Sequence, residues 1–240
     1  SFFSKYSLLR RFLRAEINGL YSLKNGGYLV IAKKGIFYKN NHSSVFRKVF
    51  SIPRGSRPLN LCELPNGHIY WGEYFANIGK EAVHVYVSID GGLTWKIAYT
   101  FSEGNINHIH GLFWDEFTNR LWFCTGDREN ECIIGYTEDE FKTIVEVFRG
   151  NQEYRSCQLF FYEHFVVFAT DSQYVQNEIK MFARDSMQIN SLVKIQGTAI
   201  KGGQLGNISF LSTTVEPSEM NKDRYSHLWI TDDGISWREI

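Results

Sequence analysis

The sequence predicts an all-β chain built from one four-stranded antiparallel unit repeated along its length. Three observations carry that prediction. Aromatic residues make up 16% of the 240 residues, and large flat rings favour the half-buried pleat of a strand over a helix. Short apolar runs alternate with turn residues from Gly19 to the end. One turn pattern also recurs: Ser88-Ile89-Asp90-Gly91-Gly92-Leu93-Thr94-Trp95 joins the apolar runs 83–87 and 97–101, and weaker copies of it are evenly spaced.

The chemistry of that turn is specific. Asp90 accepts backbone N–H groups across the bend, Gly91 and Gly92 supply positive φ without a Cβ penalty, and Trp95 tucks its indole back against the sheet. With Asp90 as a ruler, Ile230–Trp237 repeats the pattern through Asp232, Gly234, Ser236 and Trp237. Thr137–Ile144 keeps Asp139 and both threonines, Ala183–Asn190 keeps Asp185, and Lys39–Phe46 puts Asn41 in the same place. The ruler positions 41, 90, 139, 185 and 232 are separated by 49, 49, 46 and 47 residues. A period of about 40–50 residues with several strands in each unit is the mark of a β-propeller.

Each unit divides into four strands, inner to outer. The first comprises 19–23, 28–32, 35–38 and 45–52. The second comprises 58–64, 68–74, 83–88 and 95–101, with Asn66-Gly67 as the first hairpin turn. The third comprises 106–115, 120–125, 132–137 and 143–148, turning at Phe117-Thr118-Asn119. The fourth comprises 155–162, 165–170, 178–183 and 189–195. The fifth comprises 198–204, 207–213, 226–230 and 237–240. Residues 1–16 stand apart as a basic segment whose first fourteen residues form a short amphipathic helix, with Arg10, Arg11 and Arg14 among its apolar positions. That helix either packs on the propeller domain of residues 17–240 or serves as a membrane-surface or protein contact.

Ser88–Trp95 matches the pattern S-x-D-x-G-x-T-W, and Asp232–Trp237 nearly does. In these residues the chain resembles the Asp-box (BNR-repeat) β-propellers of the sialidase-like superfamily, and the periodicity extends the resemblance over residues 17–240. The resemblance implies that Asp90, Gly92, Thr94 and Trp95, and likewise Asp232, Gly234 and Trp237, join third and fourth strands and are structural. Family sialidases have six blades. Five repeats are visible here, so the expected ring is five-bladed or part of a six-bladed one.

Composition removes several function classes. Lysine plus arginine balance aspartate plus glutamate at 26 each, which gives no global attraction to nucleic acid. No apolar run reaches the roughly 18–20 residues of a membrane span, and no cleavable signal pattern is visible, so a cytoplasmic location is the default expectation. Cys62, Cys124, Cys132 and Cys157 match no zinc or redox spacing and read as buried free thiols.

In a propeller, the third-to-fourth turns lie on one face, and the second-to-third and fourth-to-first connections surround the channel mouth on the other. Those mouth loops hold Arg57, His108, His110, Gln152 and Arg155, together with Glu73, Tyr74, Asp127, Arg128 and Asp171. Glu73, Asp127 and Asp171 each follow a buried second strand at equivalent positions. His108 and His110, at i and i+2 on an inner strand, point to the same side and line the channel. They form a catalytic set with Asp127, Glu73 and Asp171, or hold a divalent metal with a carboxylate such as Asp127; no other cofactor is indicated. Arg57 and Arg155 suit a bidentate clamp on a carboxylate, supported by Arg128, Gln152 and Tyr74 as substrate contacts. Sialidase-like enzymes are similar in clustering arginines on the substrate carboxylate. The expectation is therefore a carbohydrate-active propeller working on an acidic oligo- or polysaccharide, as a glycoside hydrolase or polysaccharide lyase. The alternatives are a non-catalytic glycan- or protein-binding propeller and an assembly scaffold.

Overall fold

The structure, a computed structural model, describes residues 17–240, so the expected helix at 1–14 lies outside the described residues. Twenty strands among these residues form five antiparallel four-stranded sheets arranged as the blades of a propeller ring. Blade one holds β1 (Ile17–Ser22), β2 (Tyr28–Ala32), β3 (Gly35–Lys39) and β4 (Arg47–Ser51). Blade two holds β5 (Cys62–Glu63), β6 (Ile69–Gly72), β7 (Val83–Ser88) and β8 (Lys96–Phe101). Blade three holds β9 (His108–Asp115), β10 (Arg120–Gly126), β11 (Ile133–Thr137) and β12 (Val145–Arg149). Blade four holds β13 (Ser156–Phe161), β14 (Phe165–Thr170), β15 (Glu178–Ala183) and β16 (Ile189–Lys194). Blade five holds β17 (Thr198–Leu205), β18 (Ile208–Thr214), β19 (Leu228–Thr231) and β20 (Arg238–Glu239).

Alternation along the strands explains the stacking. In β6, Tyr70 packs into a core shared with blade three, while Trp71 packs into a core shared with blade one. In β10, Phe123 faces blade two and Trp122 faces blade four. A further core joins blades four and five around Phe160, Leu211 and Trp237. On the other face of blade five, Ile208 and Phe210 are each 44% exposed. Trp71 is fully buried and lies flat on Tyr86 at 4.3 Å. All four cysteines are buried free thiols.

The inner strand of blade two is much shorter than expected, Cys62–Glu63 in place of 58–64. Pro58 and Pro65 bracket it and remove two ladder donors. Asn60 substitutes for the missing backbone pairing: its amide donates to Leu112 O at 2.7 Å and accepts Leu112 N–H at 3.1 Å, tying blade two to β9. Gln204 forms the same double bond to Phe161 between blades five and four.

The aspartate turns hold themselves together. Asp90 accepts from Ser88 Oγ, from the Leu93 and Thr94 N–H groups and from Thr94 Oγ1, all within 3.0 Å. Asp139 accepts from Thr137 Oγ1 and from both the N–H and the hydroxyl of Thr143. In the last blade the acceptor is Asp233, not the expected Asp232. This turn is one residue shorter than that of blade two, so counting from Trp237 selects the wrong one of two adjacent acids. Asp232 is exposed, and its carbonyl accepts from Asn207. Asn41 and Asp185 form no such turn; among the described residues the Asp185 carboxylate accepts only from the N–H of its neighbour Ser186.

Each aspartate turn docks on the first hairpin of the preceding blade. Gly92 lies against Leu29, where a Cβ would approach within 2.9 Å. Glu140 accepts from Asn66 and Tyr70 and pairs with His68. Gly234 lies on the Tyr162 ring. In blade four, which lacks the turn, Arg184 occupies the corresponding place and pairs through both terminal guanidinium nitrogens with the fully buried Asp115 of blade three, at 2.6 and 3.0 Å.

Truncating Asp115 to Ala leaves the Arg184 charge uncompensated, and we expect a loss of about 3–5 kcal/mol in denaturant unfolding, as for other broken buried pairs. Asp139 gives a pH signature. The backbone N–H of Thr143, then its hydroxyl, hold this carboxyl down at about 2, from an ordinary 3.8. A depressed folded-state value contributes stability that is present above the unfolded value and lost as pH falls through the folded one. Between about pH 4 and pH 2, stability should therefore decline less steeply in Asp139→Asn than in the parent, as read by acid unfolding.

Candidate functional site

The channel mouth opposite the aspartate turns gathers side chains from three blades. His108 and His110 lie two residues apart on β9, both buried, with their Nε2 atoms 3.1 Å apart. Asp127 follows β10, which pairs Gly126 with His108 and so delivers the carboxylate to the histidines. Its Oδ1 lies 3.2 Å from each Nε2. The other ring nitrogens meet backbone carbonyls: His108 Nδ1 reaches Phe75 O at 3.0 Å, and His110 Nδ1 reaches Ser156 O at 3.1 Å. A carbonyl only accepts, so His110 Nδ1 carries the proton and its Nε2 presents a lone pair; His108 Nδ1 faces both the Phe75 carbonyl and, at 3.3 Å, the Asn107 amide nitrogen, which also donates to Asp127 Oδ2 at 3.0 Å. Burial pushes the His110 imidazole down to about 4, against the opposing pull of Asp127, consistent with a neutral ring.

The neighbouring residues orient this trio. Gly126 is required by close approach, since a Cβ there would sit 2.4 Å from His110 Cε1. Gln152 donates to the Asp127 carbonyl at 2.8 Å and accepts from Ser172 Oγ at 2.8 Å. Arg155 places Nη2 3.1 Å from Asp127 Oδ1 and Nε 3.7 Å from Asp171 Oδ2. Asp171 is buried, accepts a bond from the Cys157 thiol, and is pushed up to about 7 by burial, with Arg155 pulling the other way. The Tyr74 ring covers His108 with centroids 4.2 Å apart.

A cleft of about 760 Å³ opens above His108 and Asp127. Its walls carry Lys34, Lys80 and Arg128 as cations, with Tyr74 and Tyr174 as aromatic faces. Tyr174 is 67% exposed. Lys80 also bonds Glu131 at 2.5 Å, tying the rim of blade two to blade three.

The structure thus brings together His108, His110, Asp127 and Arg155, with Asp171, Gln152 and Tyr74 packed around them. Others stand apart. Glu73 is fully buried, paired with Arg54 and bonded by the His84 N–H, so it belongs to the frame of blade two. Arg57 is exposed and donates to Asn18 at 2.7 Å, outside the lining of the cleft. Arg128 is exposed at the rim. The expected clamp of Arg57 with Arg155 does not form: Arg57 stands just before Pro58, five residues ahead of the shortened β5, and turns to Asn18 instead. Sequence reasoning missed Gly126, Lys34, Lys80 and Tyr174. Only Gly126 carried a signal, a glycine at the end of a strand next to a candidate carboxylate.

No protein-family model and no curated protein matches the sequence. Among solved structures, the chain is similar to a putative TolB from Agrobacterium tumefaciens, with 12% identity, a TM-score of 0.60, and 93% of this chain and 80% of that one covered. It is also similar to a chain of a nidogen/laminin complex, with 8% identity, a TM-score of 0.58, and 88% and 76% covered. A GH74 xyloglucanase from Xanthomonas campestris aligns with 95% of this chain at 12% identity and a TM-score of 0.65; the match spans 39% of the xyloglucanase. At these identities the likeness establishes the propeller fold alone.

Proposed function

We propose that this propeller, which we group with the Asp-box type on its three aspartate turns, acts on an acidic glycan bound in the cleft over His108 and Asp127. The observation that carries the reading is the lining of that cleft: three cationic side chains and two tyrosine rings above a floor with one carboxylate. Cations suit a uronate or similar carboxylate, and tyrosine faces suit a sugar ring. The GH74 neighbour is consistent with carbohydrate chemistry on such a fold and adds nothing about this chain's substrate.

The floor favours elimination over hydrolysis. Retaining and inverting glycosidases flank the bond with two carboxylates. Here Asp127 faces the cleft, whereas Glu73 and Asp171 are buried in ion pairs with Arg54 and Arg155. A lyase instead requires the substrate carboxylate to be neutralised so that the adjacent C–H becomes acidic. Lys80 and Arg128 stand on the wall for that task, and His108 and Asp127 line the floor beneath.

The test is a panel of uronate and other acidic oligosaccharides, with binding read by calorimetry and unsaturated products by ultraviolet absorbance. Binding should weaken about tenfold or more in an Arg128→Ala, Lys80→Ala double variant, corresponding to about 1.4 kcal/mol. If no acidic glycan binds, the reading fails. Binding without any bond cleavage would instead make the protein a non-catalytic glycan-binding module.

A further inference from the structure

The geometry points to a divalent transition-metal site whose protein ligands are His108 Nε2, His110 Nε2 and Asp127 Oδ1, with an open coordination position facing the cleft. This inference goes beyond the glycan reading and stands without it.

The first argument is one of protons. Each Nδ1 faces a carbonyl, Phe75 O or Ser156 O, and the tautomer that donates to these carbonyls leaves both Nε2 lone pairs turned toward Asp127 Oδ1. Asp127, ion-paired to Arg155, is a carboxylate and brings no hydrogen either. In that tautomer three lone-pair atoms lie 3.1, 3.2 and 3.2 Å from one another, and the Arg155 Nη2 donor reaches only Asp127 Oδ1. Lone pairs so placed repel one another in a largely buried site, and a cation at their centre resolves the conflict.

The second argument is metric. Zinc bonds of about 2.0–2.1 Å in a tetrahedron separate the ligand atoms by about 3.3 Å. The near-equilateral triangle observed here is within about 0.2 Å of that figure, before any adjustment by an ion. Two imidazoles and one carboxylate form a ligand set suited to zinc, cobalt or iron, and too rich in nitrogen for calcium or magnesium.

The third argument concerns the surroundings. Metal-binding histidines characteristically donate their second ring N–H to a carbonyl or carboxylate, as both do here. The close approach of Gly126 fixes the ring of His110, and Gln152 fixes the Asp127 backbone. Arg155 also touches Oδ1 through Nη2, while its Nε lies 3.7 Å from Asp171 Oδ2. Three protein ligands leave a fourth position for water or substrate, the mark of a catalytic rather than a structural site. His108 and Asp127 both line the cleft, so that position is reachable.

A second cluster, His110 with Cys157 and Asp171, lies deeper and is wholly buried. Its thiol already donates to its carboxylate at 3.3 Å, so its groups have a partner without a metal.

The experiment uses the full chain, stripped with chelator and free of any sugar, so its outcome is separate from that of the glycan panel. Titration with Zn²⁺ by calorimetry should show one equivalent bound, and Co²⁺ should give a visible absorption band of a four- or five-coordinate ion. His110→Ala and the near-isosteric Asp127→Asn should each weaken Zn²⁺ binding at least 100-fold while keeping the circular dichroism of the parent. Cys157→Ser should bind as the parent does. The assignment is overturned if the parent binds no stoichiometric Zn²⁺ or Co²⁺, if folded Asp127→Asn binds undiminished, or if Cys157→Ser loses the metal.

Discussion

The ring depends on one recurring contact, the seating of the third-to-fourth turns of blades two to five on the first hairpin of the blade before each. A single four-stranded sheet cannot bury both of its faces. The shared apolar cores supply the area, but they are greasy and weakly directional. The turns add direction. Gly92 on Leu29, Glu140 on Tyr70 and His68, and Gly234 on Tyr162 each set the angle between two neighbouring blades. Blade four shows that the position matters more than the motif. It has no aspartate turn, and Arg184 reaches Asp115 across the same junction instead. An apolar seat and a buried ion pair thus meet the same geometric demand by different chemistry.

With the blades held at fixed angles, the opposite ends of the strands converge around the channel mouth, and the site is made there from pieces that are far apart in sequence. Blade two supplies Phe75 O and Tyr74, blade three supplies both histidines and Asp127, and the approach to blade four supplies Gln152, Arg155 and Ser156 O. No blade holds the site alone. The side-chain amides of Asn60 and Gln204, bridging adjacent inner strands, serve the same purpose along the channel wall.

Much of this was legible in the sequence, and the exceptions have physical causes. Ser88–Trp95 set the strand phase because its aspartate and glycines allow essentially one backbone path. From that phase, the equivalence of Glu73, Asp127 and Asp171 follows, and each does come directly after a second strand. Which of them meets the histidines was not legible, since that depends on side-chain partners drawn from another blade. Asp232 and Asp233 are indistinguishable to a pattern that tolerates no deletion. Phe141 takes the place of Gly92 with φ of 69°, a conformation that sequence rules assign to glycine. Its burial against Tyr70, Tyr99 and Phe123 offsets the strain. Arg57 and Arg155 looked alike as arginines before inner strands, but the former stands ahead of Pro58 and a shortened β5 and turns to Asn18.

The sheet of blade three is buried on both faces, with Phe123 in one core and Trp122 in the next. The histidines and Asp127 hang from its two innermost strands. Their side-chain entropy is therefore surrendered when the chain folds, and little remains to be lost when something arrives at the mouth of the channel. An arriving ligand meets groups that are already frozen, so its affinity reports almost entirely on its fit to a fixed shape. Selectivity at such a place comes from rigidity, and a blade enclosed on both faces supplies it.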